Sequence, residues 1–141
     1  MTLEVGAGAP FRARVRPEWV DYNGHMNVAY YVLIFDQQTD AVLDRFGLGE
    51  DYRRQTGCSV FVGEMRVRYL QELRAGEVVE VTTRLLGSDA KRVLLFHEMR
   101  RIDGGGPVAE NEVLCLHVNL SIRRTAPWPQ EIAKRLATAC T

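Results

Sequence analysis

The strongest constraint on the fold is a change of hydrophobic period in mid-chain. Over residues 28–46 apolar side chains recur at Val28, Val32, Phe35, Val42 and Phe46, with Ala29, Leu33 and Leu43 beside them. This is the spacing of a helix with one buried face. From Gly57 onward the period is two. Ser59, Phe61, Met65, Val67 and Tyr69 alternate with Val60, Val62, Glu64, Arg66 and Arg68, and Val79, Val81, Thr83 and Leu85 alternate with Glu80, Thr82 and Arg84. Further runs cover residues 92–101 and 108–123. The last puts Leu114, Leu116, Val118, Leu120 and Ile122 on one face and Cys115, His117, Asn119 and Ser121 on the other. It is long for a strand, so a bulge or bend is expected within it.

Short elements frame this pattern. Phe11, Ala13 and Val15 alternate with arginines up to Pro17, which predicts a short first strand. Gly47 and Gly49 are expected to stop the helix before a charged loop at residues 50–55. Ala75-Gly76, Gly87-Ser88-Asp89 and the glycines at 104–106 read as turns, and Ile132, Ala133 and Leu136 suit a short closing helix. The order of strand, long helix and four strands joined by tight turns predicts an α+β fold: one curved antiparallel sheet with the helix across it. One helix on one sheet leaves a helix flank and a sheet edge uncovered, so a homodimer, or a dimer of dimers, is expected.

The 141 residues suit one domain, residues 1–141, with the small, Gly-rich residues 1–9 expected to be flexible. Lys plus Arg and Asp plus Glu are each 18, so no overall field favours nucleic acid or an anionic membrane. The first ten residues carry no basic leader, and no apolar run reaches spanning length, which predicts a soluble, cytoplasmic protein. Cys58, Cys115 and Cys140 are odd in number and far apart, which argues against a disulfide framework. Cys115, in an apolar run, reads as a small buried hydrophobe. His25, His97 and His117 lack the spacing of a zinc site, so neither a metal nor another cofactor is expected.

A polar cluster precedes the long helix: Trp19-Val20-Asp21-Tyr22-Asn23-Gly24-His25-Met26-Asn27. Asn27 can cap the helix, and Gly24 permits a sharp turn that brings Asp21 and His25 near the free N–H groups of the first turn. A carboxylate beside an electropositive helix start can attack a carbonyl while the N–H groups hold the oxyanion. The plainer readings are a turn residue for Asp21, a turn hydrogen bond for His25 and simple capping for Asn27. Trp19, Tyr22, Tyr30 and Tyr31 surround this cluster as candidate walls for a bound group. Glu64 and Glu98 read either as second acids or as arginine partners. Asp36, Asp40 and Asp44, at i, i+4 and i+8, read as a solvated stripe.

Asp21-Tyr22-Asn23-Gly24-His25-Met26-Asn27, followed by an aromatic-rich helix and four strands, resembles the hotdog-fold acyl-CoA thioesterases, in particular the 4-hydroxybenzoyl-CoA thioesterase branch. Residues 96–101 and 116–120 also resemble the betainyl-CoA thioesterases. The resemblance implies a five-stranded antiparallel sheet wrapped around one central helix, and hydrolysis of a small acyl-CoA to acid and coenzyme A. It implies Asp21 as nucleophile or general base, with His25 and Asn27 assisting, and the Val28 N–H as oxyanion donor. Trp19, Tyr22, Tyr30, Tyr31 and Glu64 become substrate-binding candidates. Lys91, Arg92, Arg123 and Arg124 become candidates for the coenzyme A phosphates, since guanidinium groups grip phosphate in a bidentate manner. The aromatic-acyl members carry an apolar residue where this chain has His25. Two other readings stay open: a hotdog dehydratase, told apart by enoyl-CoA hydration, and an acyl-CoA-binding module that releases no thiol.

Overall fold

A computed structural model describes residues 10–141; the flexibility expected of residues 1–9 lies outside the described residues. The strands are β1 (Phe11–Arg14), β2 (Cys58–Tyr69), β3 (Val78–Ser88), β4 (Arg92–Arg101), β5 (Pro107–Asn119) and a two-residue β6 (Arg124–Thr125). They form one antiparallel sheet in the order β1-β3-β4-β5-β2, with β6 appended to β5. The helices are α1 (Val28–Arg45), α2 (Glu50–Thr56) and α3 (Gln130–Ala139). The sheet curls around α1 as the hotdog resemblance implies, with β6 as one addition to the five expected strands.

The buried stripe of α1 is Tyr31, Ile34, Phe35, Gln38, Thr39 and Val42, rotated from the stripe read in the sequence. Val28 and Leu33 are exposed because the sheet meets the helix on the Tyr31 side. Two apolar clusters lie beneath it. Around its first half, Tyr31, Ile34 and Phe35 meet Val79, Val81, Met99 and Ala109; around its end, Val42 and Phe46 meet Leu85, Leu95, Val113, Cys115 and Leu136. Each large side chain so buried contributes about 1.5–3 kcal/mol against the ordering entropy.

Three local expectations are corrected. Residues 50–56 are helical rather than a loop, because Glu50 and Asp51 at the start and Arg53 and Arg54 one turn on pair along the helix and suit its dipole. β5 stops at Asn119, where Arg123 N–H closes a turn on the Asn119 carbonyl, so Leu120 and Ile122 are not strand residues. The buried face of β5 carries Asn111, Val113, Cys115 and His117, whereas Leu114 and Leu116 are half-exposed outside.

The third correction concerns β2, where the bulge lies between Val62 and Glu64 rather than in β5. Gly63 permits it: a Cβ there would meet Leu116 Cδ1 at 2.8 Å. The extra residue reverses the alternation. Val60 and Val62 therefore share the inner face with Met65, Val67 and Tyr69, opposite His117, Cys115, Val113, Asn111 and Ala109 of β5. Phe61, Glu64, Arg66 and Arg68 point outward. β2 is also the long free edge of the sheet, and Phe61, Val62, Met65 and Tyr69 are exposed along it.

Candidate active site at the start of the long helix

The chain enters α1 through a closed turn. Val20 bridges Met26, Asp21 N–H donates to the His25 carbonyl at 3.3 Å, and Gly24 N–H donates to the Asp21 carbonyl at 3.0 Å, with Gly24 at φ 86°. That φ favours glycine. Two more bonds pin the turn to the body: Met26 N–H to the Leu73 carbonyl at 2.7 Å and Asn27 N–H to the Trp19 carbonyl at 2.9 Å.

Asn27 joins the turn to the helix. Its Oδ1 accepts from Ala29 N–H at 2.9 Å, capping α1, while its Nδ2 donates to Asp21 Oδ2 at 2.9 Å. Asp21 Oδ1 accepts from Asn23 N–H at 2.9 Å. These donors, first the Asn23 N–H and then the Asn27 amide, hold the Asp21 carboxyl below its ordinary range. Asp21 is therefore an anion at neutral pH, aimed by the residue that caps the helix. Val28 N–H, next in line, has no acceptor among the described residues.

Beside Val28 lies a cavity of about 170 Å³ lined by His25, Met26, Val28, Tyr31, Tyr69, Leu70, Gln71 and Glu72. Tyr31 donates to the Gln71 carbonyl at 3.0 Å, Tyr69 to the Val28 carbonyl at 3.3 Å, and the two rings meet edge to face at 5.1 Å. His25 Nδ1–H donates to the Met26 carbonyl at 3.3 Å, and its Nε2 lies 3.6 Å from Glu72 Oε2. Larger hollows, of about 450 and 540 Å³, lie on the outer face around Glu64, Leu94, Glu112 and Leu114, away from any helix start. A further hollow of about 300 Å³, lined by Asp40, Asp44 and Glu50, lies at the start of α2. The smaller cavity is the chemically relevant one, because the unpaired Val28 amide lines it and Asp21 is bonded to Asn27, the residue before that amide.

Of the residues singled out in the sequence, Asp21 and Asn27 are hydrogen-bonded to each other at the start of α1, and His25, Val28 and Tyr31 line the cavity, which neither Asp21 nor Asn27 lines. Trp19 and Tyr30 stack on each other at 5.2 Å beside the turn, and Tyr22 is 97% exposed. Glu64 does not reach the site: it stands on the outer face opposite Leu114, because the bulge turns it outward. Glu98 pairs with Arg100 at 2.7 Å. Lys91, Arg92, Arg123 and Arg124 gather at the opposite end of the sheet, one β4 length of about 30 Å from the Asp21 end. Arg92 and Thr125 there line a hollow of about 290 Å³ with Lys91 and Asp89, and Arg123 sits at φ 56°. Tyr69, Gln71 and Glu72 escaped the sequence reading, since nothing in their spacing ties the end of β2 to the Asp21 turn.

Among the described residues no cluster of His, Cys, Asp or Glu could hold a metal. Cys115 is a buried free thiol that burial raises to about 12, so it is inert as a nucleophile. No helix among them is long and apolar enough to cross a membrane.

Residues 15–136 match the model of the thioesterase-like superfamily. The chain belongs to that superfamily. It is 40% identical over 126 residues to a betainyl-CoA thioesterase of Pseudomonas aeruginosa, covering 89% of this chain and 79% of that protein. It is also 40% identical over 136 residues to an L-carnitine dehydrogenase/betainyl-CoA thioesterase of Agrobacterium fabrum, where it spans 94% of this chain but 28% of that protein. A Staphylococcus aureus protein solved in complex with CoA superposes with a TM-score of 0.86 at 27% identity, covering 94% of this chain and 85% of that one. The superfamily assignment and the CoA-bound neighbour agree with thioester chemistry.

Proposed function

We propose that this thioesterase hydrolyses a small acyl-CoA, with betainyl-CoA the leading substrate, at the turn that opens α1. Asp21 attacks the thioester carbonyl, or activates water to do so, and Val28 N–H receives the oxyanion. The C–S bond breaks, coenzyme A leaves as thiolate, and water supplies the oxygen of the released acid. The observation that carries this reading is the hydrogen-bonded line Asp21–Asn27–helix start, ending at an unpaired amide beside a cavity. The lowered carboxyl pKa keeps Asp21 ionised at neutral pH, the form that either role needs.

The working unit in this proposal is a homodimer. Adding a second copy antiparallel along the free β2 edge covers Val62, Met65 and Tyr69. It also brings the Cys58 end of the second copy's β2 beside this chain's Tyr69. Lys91, Arg92, Arg123 and Arg124 of that copy then lie at the Asp21 end, where they can meet the coenzyme A phosphates. A cytoplasmic location is proposed with it, as befits a CoA substrate and reduced cysteines.

Thiol release from betainyl-, short-chain, aromatic and long-chain acyl-CoA, assayed beside enoyl-CoA hydration, tests the reaction. Thiol release with no hydration is expected; hydration alone would move the chain to the dehydratases, and binding without either to the carrier modules. Light scattering should report a dimer or its multiple.

A further inference from the structure

We propose that the cavity at the start of α1 is a subsite for a quaternary ammonium one carbon from the thioester carbonyl, with Tyr31 and Tyr69 as aromatic walls and Glu72 as counter-ion. The proposal rests on the thioesterase reading above and deepens it. Both rings are fixed by their hydroxyls, on the Gln71 and Val28 carbonyls, and they meet at 90° to form a corner. Aromatic walls attract a cation without dehydrating it into a tight ion pair. Among the described residues Glu72 is the one acidic group lining the cavity, and no lysine or arginine lines it. Glu72 stays available: its side chain is 67% exposed, and His25 Nε2 is 3.6 Å away, outside hydrogen-bond range. Arg101, a cation beside this loop, is paired with the Glu77 carboxylate at 2.6 Å and donates to Gln71 Oε1 and the Glu72 backbone carbonyl, not to the Glu72 carboxylate.

Distance decides against the other candidates. In such an acyl group the cation lies about 2.5 Å from the carbonyl carbon, two bonds of roughly 1.5 Å. It must therefore sit beside Val28, where the oxyanion forms. Asp36, first of the acidic stripe, is eight residues into the helix, about 12 Å along its axis, which is out of reach. Trp19 is already covered by its stack with Tyr30 and by the Arg16 guanidinium 5.5 Å from its ring. Tyr22 faces solvent. Of the four aromatic residues near the Asp21 turn, Tyr31 alone lines the cavity, and Tyr69 arrives from β2 to complete the corner.

The test compares betainyl-CoA with 3,3-dimethylbutanoyl-CoA, which replaces the charged nitrogen by carbon at constant shape. The wild type should favour the cation by about tenfold or more in kcat/KM, and that ratio should fall about tenfold in Tyr69→Leu and about threefold in Glu72→Gln, the range of one cation–π or one exposed ionic contact. A ratio near one in the wild type, or a ratio that both variants leave unchanged, overturns the subsite. A binding arm needs no hydrolysis: tetramethylammonium, titrated against tert-butanol, should shift the NMR signals of Tyr69 and Val28, and Tyr69→Leu should weaken it. Tyr69-dependent binding of the cation in a protein that releases no thiol upholds the subsite and removes the thioesterase reading. Equal hydrolysis of both thioesters with no cation binding does the reverse.

Discussion

Two chains of polar side chains touch α1, one at its first residue and one in its middle, and they are built for opposite ends. At the start, Asp21, Asn27 and the helix amides form a charged line open to a cavity. In the middle, Gln38, Thr39, Thr83 and His97 are each 3% exposed or less. There the hydrogen bonds dictate the protons. Thr39 donates to the Phe35 carbonyl at 3.2 Å, so its oxygen accepts His97 Nε2–H at 2.8 Å. His97 Nδ1 then accepts from Thr83 at 2.7 Å, and Thr83 accepts from Gln38 Nε2 at 2.7 Å. Burial pulls the His97 pKa down to about 3, so this chain stays neutral. The lesson is that ionised groups sit where solvent or substrate reaches them, whereas a sealed site keeps its polar atoms only when every proton has a place.

Several substitutions would break or sharpen that contrast. Asp21→Asn should cut thiol release on the order of a thousandfold, the scale of losing a reacting group, while leaving the melting temperature within a few degrees. Near-normal turnover by the folded variant would remove Asp21 from the reaction. Thr83→Val should do the opposite: by stranding Gln38 Nε2 and His97 Nδ1 it should cost about 2–4 kcal/mol in urea unfolding, yet leave the turnover of the folded fraction nearly intact. A loss under about 0.5 kcal/mol would mean that the buried Gln38–Thr83–His97–Thr39 chain is not sealed.

Acid should separate the two chains as well. His97 protonates near 6.5 when unfolded but only near 3 when folded, so its contribution is complete above pH 6.5 and is lost as pH falls from there toward 3. The slope from this one group is at most about 1.4 kcal/mol per pH unit. Unfolding curves from pH 7 to 4 should show it, and His97→Gln should flatten it. The lowered Asp21 pKa predicts an acid limb of activity below 3.8; a midpoint above 5 in a folded enzyme would assign the limb to another group.

Asn27→Ser isolates the two tasks of the cap. Serine can still accept from Ala29 N–H, so stability should change by less than about 0.5 kcal/mol, while loss of the donor to Asp21 should slow hydrolysis about tenfold. Hydrolysis at the wild-type rate by Asn27→Ser would leave the cap with no separate aiming role. The smallest effect is expected at Glu64, where Glu64→Gln should alter hydrolysis by less than about twofold, since the side chain lies across the sheet from Asp21.

The sequence alone determined the period of each long element, the turn signals between them and the Asp-x-x-Gly-His-x-Asn approach to the helix, because backbone geometry repeats over a few residues and its chemistry is local. Residues 92–101 and the Asn27 cap were legible for that reason. Tertiary structure decided what faces what. A single extra residue at Gly63 moved Glu64 outward and set Val62 and Met65 on the same side, an outcome no strict alternation contains. It decided that Tyr69, Gln71 and Glu72 stand beside Val28, and that the basic residues gather a sheet length away, because contacts between distant segments depend on register and curl.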